Sequence, residues 1–254
     1  QHALITGGGK GIGAAIAEAL AVLGASLTLV GRDQAALDAT RDALGKMSDV
    51  PIVSHVADVT DPAAVAAAFQ RASDEIGPVT ILVNNAGAAQ SAPFLRTDRG
   101  LWDAMLAINV TAAFSCTQAA LPMMRGAGWG RVINIASTAA LIGRDRRMYD
   151  RSGMAGQPVD YAAAKAGVIG LTQDLAGMLS PKGVYVNAIS PGGFEKPGNL
   201  PEPFVAEFAD GAMLGRWGRM GIDLKGAALF LASAASDYVT AHNLVVDGGF
   251  SVWK

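Results

Sequence analysis

Seven short, almost wholly apolar runs alternate with helical patterns along the 254-residue chain, and this alternation limits the fold more than any other feature. The runs are Ala3–Gly7, Leu27–Val30, Ile52–Val59, Val79–Gly87, Arg131–Ser137, Val184–Gly192 and Leu244–Gly249. After the first, Ile12, Ile16, Leu20 and Leu23 recur at helical spacing until Gly24. Helices are also predicted around Gln34–Leu44, from an Asp61 cap and Pro62 to Gly77-Pro78, and over Leu101–Met124, Pro158–Leu179 and Leu224–Ala232. A strand apolar on both faces must be covered on both faces, which implies a parallel sheet. Strict strand–helix alternation implies right-handed crossovers. The expected fold is α/β: a single domain with a doubly wound parallel sheet of about seven strands and helices on both faces. No linker, repeat or low-complexity tract divides it. Ligands of such folds bind just beyond the carboxyl ends of the strands.

Composition narrows the partners. The chain is 51% hydrophobic and 17% charged, with a net charge of −2. It has no basic run suited to nucleic acid. Gly, Asn or charged residues interrupt the longest apolar runs, so no membrane span is expected. The first strand begins almost at Gln1, leaving no room for a signal peptide. The single cysteine, Cys116, reads as a small buried hydrophobe, and a reducing, cytoplasmic setting fits. His2, His55 and His242 lie far apart, so no metal site is expected.

"TGGGKGIG" (Thr6–Gly13) closes the first strand and opens the first helix. Gly7, Gly9, Gly11 and Gly13, with Lys10 and Ile12, make a loop whose backbone can approach a pyrophosphate at a helix N-terminus. In a dinucleotide fold, an acid at the end of the second strand would take the ribose of NAD, whereas cations suit the 2′-phosphate of NADP. Here the strand ends "VGRD": Gly31 stands where the acid is sought, Arg32 follows, and Lys10 lies in the loop. These favour NADP(H), with NAD(H) possible. Asp33 is the counter-indication, either serving as the acid or capping the next helix.

Further motifs follow in order: "ADVT" (Ala57–Thr60), "NNAG" (Asn84–Gly87), "INV" (Ile108–Val110), "IAS" (Ile135–Ser137), "YAAAK" (Tyr161–Lys165) and "SPGG" (Ser190–Gly193). Over nearly its full length the chain resembles the short-chain dehydrogenase/reductase family, with a Rossmann-type fold. The resemblance implies that Asp58 and Val59 border the adenine and that Asn85, Ala86 and Gly87 line the adenosine side. It implies a water held by Asn109 in a proton relay and a Ser137 hydrogen bond to the substrate oxygen. Tyr161 would pass the proton, Lys165 would hold the nicotinamide ribose, and Pro191, Gly192, Gly193 and Phe194 would flank the nicotinamide. A homo-oligomer, tetramer or dimer, is also expected.

The chemistry explains the pair at one-turn spacing, Tyr161 and Lys165. Hydride transfer at a carbonyl needs a proton donor or acceptor near pH 7. Lowering a tyrosine pKa from near 10 by about 3 units requires about 4 kcal/mol of preference for the phenolate. A nearby ammonium and the positive oxidised nicotinamide push in that direction. As mere packing, the pair would leave Ser137 and Asn109 unexplained.

Two departures from the family pattern stand out. Tyr161 lies 24 positions past Ser137 (161 − 137), about twice the usual gap. Tyr149 stands near the usual spacing and is a rival, but the residue four past it is Gly153, not a lysine. The extra residues form an insertion at about 143–157 carrying Arg144, Arg146, Arg147 and Arg151 against Asp145 and Asp150. It is expected to help select an anionic or strongly polar substrate. Its arginines could instead face solvent or a neighbouring subunit, paired with those acids. Second, "FEKPGN" follows "SPGG" where family members often carry a threonine. Residues 193–221, rich in Gly and Pro and without clear periodicity, are expected to be a mobile lid. Trp102 and Met105 read as packing, Asp247 as a turn-former, and Phe250 and Trp253 as packing at a subunit contact or the edge of the site. The leading expectation is an oxidoreductase acting on a secondary alcohol or ketone, such as a polyol or sugar acid. The alternatives are a 3-oxoacyl or 3-hydroxyacyl thioester reductase and a non-catalytic NADP(H) sensor.

Overall fold

All seven apolar runs become strands: β1 (His2–Thr6), β2 (Ser26–Gly31), β3 (Ile52–Val56), β4 (Ile81–Asn84), β5 (Gly130–Ile135), β6 (Val184–Pro191) and β7 (Asn243–Val246). In this computed structural model, residues 1–89, 94–154, 156, 158–195 and 200–253 are described. The strands form one parallel sheet in the order β3-β2-β1-β4-β5-β6-β7. The helices are α1 (Gly11–Val22), α2 (Gln34–Gly45), α3 (Pro62–Glu75), α4 (Arg99–Leu106), α5 (Ala112–Ala127), α6 (Arg146–Arg151), α7 (Val159–Leu179), α8 (Glu202–Asp210) and α9 (Lys225–Ala232).

Alternate residues of each central strand enter opposite cores. Ile5, Leu29 and Ile133 pack with Ile16 and Leu20 of α1 and Leu231 of α9. Leu4, Leu82 and Val186 pack on the other face with Phe69 of α3, Met124 of α5 and Leu179 of α7. Cys116 belongs to this second core, and burial pushes its thiol up to about 12. The chain winds outward from β1 to β3, then returns to lay β4 on the other side of β1. The carboxyl ends of β1 and β4 therefore flank the switch point where such folds bind ligands.

Asp61 caps α3 by accepting the Ala63 N–H, with Pro62 at the first position, as the sequence predicts. Asp247 orders its turn by accepting the Gly249 and Ser251 N–H groups. Three features go beyond the sequence reading. The insertion contains a helix, α6, capped by Asp145 through the Arg147 N–H. The segment after β6 contains α8, and its ends are tied together: Glu195 N–H donates to Gly218 O at 2.9 Å and Gly218 N–H to Gly193 O at 2.9 Å. The helix expected over Leu101–Met124 runs unbroken over 99–127. It passes Asn109 through a π-helical stretch, Ala107–Thr111, and by length and composition it could cross a membrane, with mean hydropathy 1.4. Its face carrying Ala112, Cys116, Ala120 and Met124 is instead spent on the core.

A buried polar chain fixes α7 to the sheet. Asn84 Nδ2 donates to Asn134 Oδ1 at 2.8 Å, Asn134 Nδ2 to Thr172 Oγ1 at 2.9 Å, and Thr172 Oγ1 to Val168 O at 2.8 Å. Asn84 and Asn134 are paired across β4 and β5. Removing the middle member takes the shortest bond from the Asn84 amide, which keeps longer ones to Thr117 Oγ1 at 3.2 Å and Ala113 O at 3.3 Å, and takes a buried donor from Thr172 Oγ1. Asn134→Ala is expected to lower the free energy of unfolding by about 2–4 kcal/mol, measured by urea denaturation. An effect below about 0.5 kcal/mol would show that the chain is not what fixes α7.

Candidate active site

Beyond β1 the chain must turn tightly and then start a helix. Gly7 adopts φ +65° and donates its N–H to Val30 O at 2.7 Å. A Cβ on Gly13 would stand 2.3 Å from Gly7 O, so the loop closes only with glycine there. Asn85 holds the turn from the β4 side, its Nδ2 donating to Thr6 O at 2.9 Å and Gly7 O at 3.2 Å.

Against this loop lies a cavity of about 220 Å³ lined by Gly7, Gly9, Lys10, Arg32, Asp58 and Val59 together with Ala86 and Gly87. Asp33 also borders it, but its carboxylate accepts the Ala36 N–H at 3.1 Å and caps α2. Arg32 reaches Asp58 at 3.9 Å, both side chains being well exposed. Hydrogen bonds from Thr60 hold the Asp58 carboxyl below its usual range, with Arg32 adding to them. Asn85 departs from expectation: its amide is committed to the glycine turn, and it borders the neighbouring cavity instead.

That second cavity, of about 650 Å³, brings together Ser137, Tyr161, Lys165 and Asn109 with Ile12, Asn85 and Pro191 to Phe194. Gly87 borders both cavities, which thus meet end to end. A Cβ on Gly87 would lie 2.7 Å from Asn109 Oδ1 and 3.4 Å from Lys165 Nζ, so a side chain would close the junction. Two joined chambers, a glycine turn at a helix N-terminus and cations beside the first chamber fit a nicotinamide dinucleotide.

Lys165 is 4% exposed, and its ammonium donates to Ile135 O at 2.7 Å, at the end of β5. Burial pushes its pKa down to about 8. Its Nζ lies 5.8 Å from the centroid of the Tyr161 ring. Tyr161 is hydrogen-bonded to Ser137. Burial raises the pKa of its phenol, and the Ser137 hydrogen bond and the charge of Arg144 oppose that rise. In the cofactor-free chain, then, the tyrosine is not lowered as the sequence predicts: desolvation outweighs the local cations, and Lys165 is not among the groups acting on it. Ser137 Oγ also accepts the Ala139 N–H at 3.1 Å. Asn109 Nδ2 donates to Ala88 O at 3.0 Å and to Met105 O at 3.1 Å, whereas its buried Oδ1 has no partner among the described residues and faces the Gly87 junction.

The four arginines of the insertion separate. Arg147 forks onto Asp145 (Nη2–Oδ2 2.6 Å), and Arg151 pairs with Glu207 of α8 rather than with Asp150. Arg146 stands beside Gly156. Arg144, half-buried, borders the second cavity. Tyr149 borders it too and accepts a hydrogen bond from Arg144. Phe250 stands at the edge of the site, one of the two places expected for it, and sequence reading missed the rest of this wall: Phe204 lies 5.0 Å from the Tyr149 ring, and Phe208 stacks on Phe250 at 4.3 Å and lies tilted against Trp217 at 4.2 Å.

A family model described as Enoyl-(Acyl carrier protein) reductase matches residues 7–251. The chain is 39% identical to galactitol 2-dehydrogenase (L-tagatose-forming) of Cereibacter sphaeroides, over 99% of this chain and 95% of that one. It is 35% identical to gluconate 5-dehydrogenase of Gluconobacter oxydans, over 99% and 94%. A solved gluconate 5-dehydrogenase from Burkholderia cenocepacia, in complex with NADP and tartrate, superposes with TM-score 0.88 at 31% identity, covering 100% of this chain and 96% of that one. The chain belongs to the short-chain dehydrogenase/reductase family. It is an NAD(P)-dependent oxidoreductase acting on CH–OH groups.

The buried lysine makes a stability prediction. Its pKa falls from 10.5 in the unfolded chain to about 8 in the folded one. Below about pH 8 the folded state carries an ammonium that its surroundings disfavour, a penalty on the order of 3 kcal/mol. Between those values the unfolded chain binds the extra proton, so stability rises with pH. Lys165→Met is expected to raise the Tm of the cofactor-free protein at neutral pH, with the gain shrinking as pH rises past about 8. Differential scanning calorimetry across that range checks it, and a pH-independent gain would contradict it.

Proposed function

We propose that this oxidoreductase moves a hydride between NADP(H) and the secondary alcohol or ketone of a small polar or anionic molecule, with polyols and sugar acids as the substrate class. One observation carries the reading: Ser137, Tyr161, Lys165 and Asn109 border a single cavity, and it meets the glycine-loop cavity at Gly87. The names of the galactitol and gluconate dehydrogenases support the substrate class. The preference for NADP(H) is supported by Lys10 and Arg32 on one chamber and by Asp33 being occupied as a helix cap.

When bound, the nicotinamide supplies or accepts the hydride. The chain does the remaining work. The Ser137 hydroxyl orients the reacting oxygen, and the Tyr161 phenol gives or takes its proton. The Lys165 ammonium, held by Ile135 O, holds the nicotinamide ribose at the junction. The Asn109 Oδ1, facing the same junction, accepts a hydrogen bond from a water that passes the proton onward. Because burial keeps the phenol protonated at neutral pH, ketone reduction begins with the proton already in place. Alcohol oxidation needs the phenolate, so its rate rises with pH.

The thioester-reductase reading rests on the description of the matching family model and on the aromatic wall, which could receive an acyl chain. A panel of sugar acids, polyols and 3-oxoacyl thioesters, followed at the nicotinamide absorbance, separates these. Turnover of sugar acids or polyols with a higher kcat/KM for NADP(H) than for NAD(H) is expected, and Arg32→Asp reverses that cofactor preference. Thioesters as the best substrates would replace the reading, and no turnover of any member would favour the sensor. Tyr161→Phe is expected to lower kcat by about 10²–10⁴-fold while cofactor still binds, whereas Tyr149→Phe leaves the chemical step largely intact. The reverse pattern would assign the proton transfer to Tyr149.

A further inference from the structure

We propose that Arg144 is the residue that recognises the substrate's negative charge, making the preferred substrate a hydroxy or oxo acid whose uncharged body lies against the aromatic wall. The inference rests on the reading above that this cavity is where the alcohol is oxidised. Among the described residues, the charged ones bordering the cavity are Arg144, Asp145 and Lys165. The Asp145 carboxylate is taken by the Arg147 guanidinium, with Nε–Oδ1 at 2.9 Å and Nη2–Oδ2 at 2.6 Å, and by the Arg147 N–H at 3.0 Å. The Lys165 ammonium is turned onto Ile135 O at the cofactor junction. Among these, Arg144 is a cation at the cavity that is not turned onto the cofactor junction.

Its surroundings fix it there. Arg144 Nη2 donates to Pro158 O at 3.2 Å, and the guanidinium also donates to the Tyr149 phenol. Pro158 caps the helix that carries Tyr161, so the arginine is held relative to the proton-transfer residue. Tyr149 is itself clamped by Phe204. A guanidinium has five N–H donors in a planar fork. The two contacts described orient that fork, and half-burial strengthens any charge-assisted bond it makes to a carboxylate. Beyond Arg144 the wall is aromatic, with Phe204, Phe208, Trp217 and Phe250, so the part of the substrate that lies there is uncharged.

The competing role is electrostatic. Arg144 lies close enough to Tyr161 for its charge to favour the phenolate. In that role its loss would shift the pH dependence of turnover alike for charged and neutral substrates.

The test compares D-gluconate with its neutral hexitol, sorbitol, on the protein saturated with NADP⁺. Binding is read by tryptophan fluorescence, since Trp217 borders the cavity. Wild type is expected to bind gluconate more tightly than sorbitol. Arg144→Gln should weaken gluconate by about 10- to 100-fold and leave sorbitol within about two-fold. Arg144→Lys should recover part of the loss, and Arg147→Gln and Arg151→Gln should change neither ligand. An unshifted Tm for the NADP⁺-bound Arg144→Gln protein guards against misfolding. Equal weakening of both ligands, no change in either, or no measurable binding of gluconate to wild type would overturn the proposal. So would a common shift of the pH–rate profile with both substrates that comes without any selective loss of gluconate binding. If wild type binds gluconate selectively yet oxidises neither compound, the functional reading fails while the assignment of Arg144 stands.

Discussion

A lysine ammonium buried to 4% exposure is the constraint on which the site depends. It is held because α7 lies along β6 and brings Lys165 to the end of β5, where Ile135 O accepts its hydrogen bond at 2.7 Å. Gly87, with no side chain, leaves the opposite side open towards the cofactor chambers. The helix itself is fixed one to two turns further along by the Asn84–Asn134–Thr172 chain. Each of these elements is costly alone: a buried charge, buried amides and a glycine at a strand end. Together they place one donor where the two chambers meet. Such local conflict with stability is what a functional site is expected to show.

The same burial acts on Tyr161 in the opposite electrostatic sense. Desolvation lowers the pKa of the lysine and raises that of the tyrosine, since in each case the charged form loses water. The cofactor-free site therefore keeps a protonated phenol beside an amine whose pKa of about 8 is close to neutral. Ser137 and Arg144 are the groups that favour the phenolate. The remainder of the expected lowering has to come with the positive oxidised nicotinamide. In the proposed mechanism this ties proton transfer at Tyr161 to cofactor occupancy.

Much of this could be read from the sequence because the signals were local. Strands covered on both faces are continuous apolar runs, the glycine turn excludes side chains, and Tyr161 and Lys165 share a helix face. What could not be read depends on distant partners. Helices α6 and α8 are short, and their apolar residues face each other, Tyr149 against Phe204, so neither shows a stripe towards a common core. The arginines of the insertion look alike in sequence. Arg147 has its acid two residues away and Arg151 has its acid 56 residues away in α8, whereas Arg144 borders the cavity. Asp33 could have been a ribose ligand or a cap, and only the Ala36 N–H shows that it is a cap. The π-helical stretch that carries Asn109 has no signature in the "INV" motif.

The central claim is that Lys165 is a desolvated amine held at the junction of the two chambers. Heteronuclear NMR titration of the lysine side chains in the cofactor-free protein tests it most directly, with the resonance assigned by its loss in Lys165→Met. The account predicts that this lysine titrates at about 8, well below the 10.5 of an ordinary lysine. A Lys165 that titrates with the exposed lysines near 10.5 would contradict it.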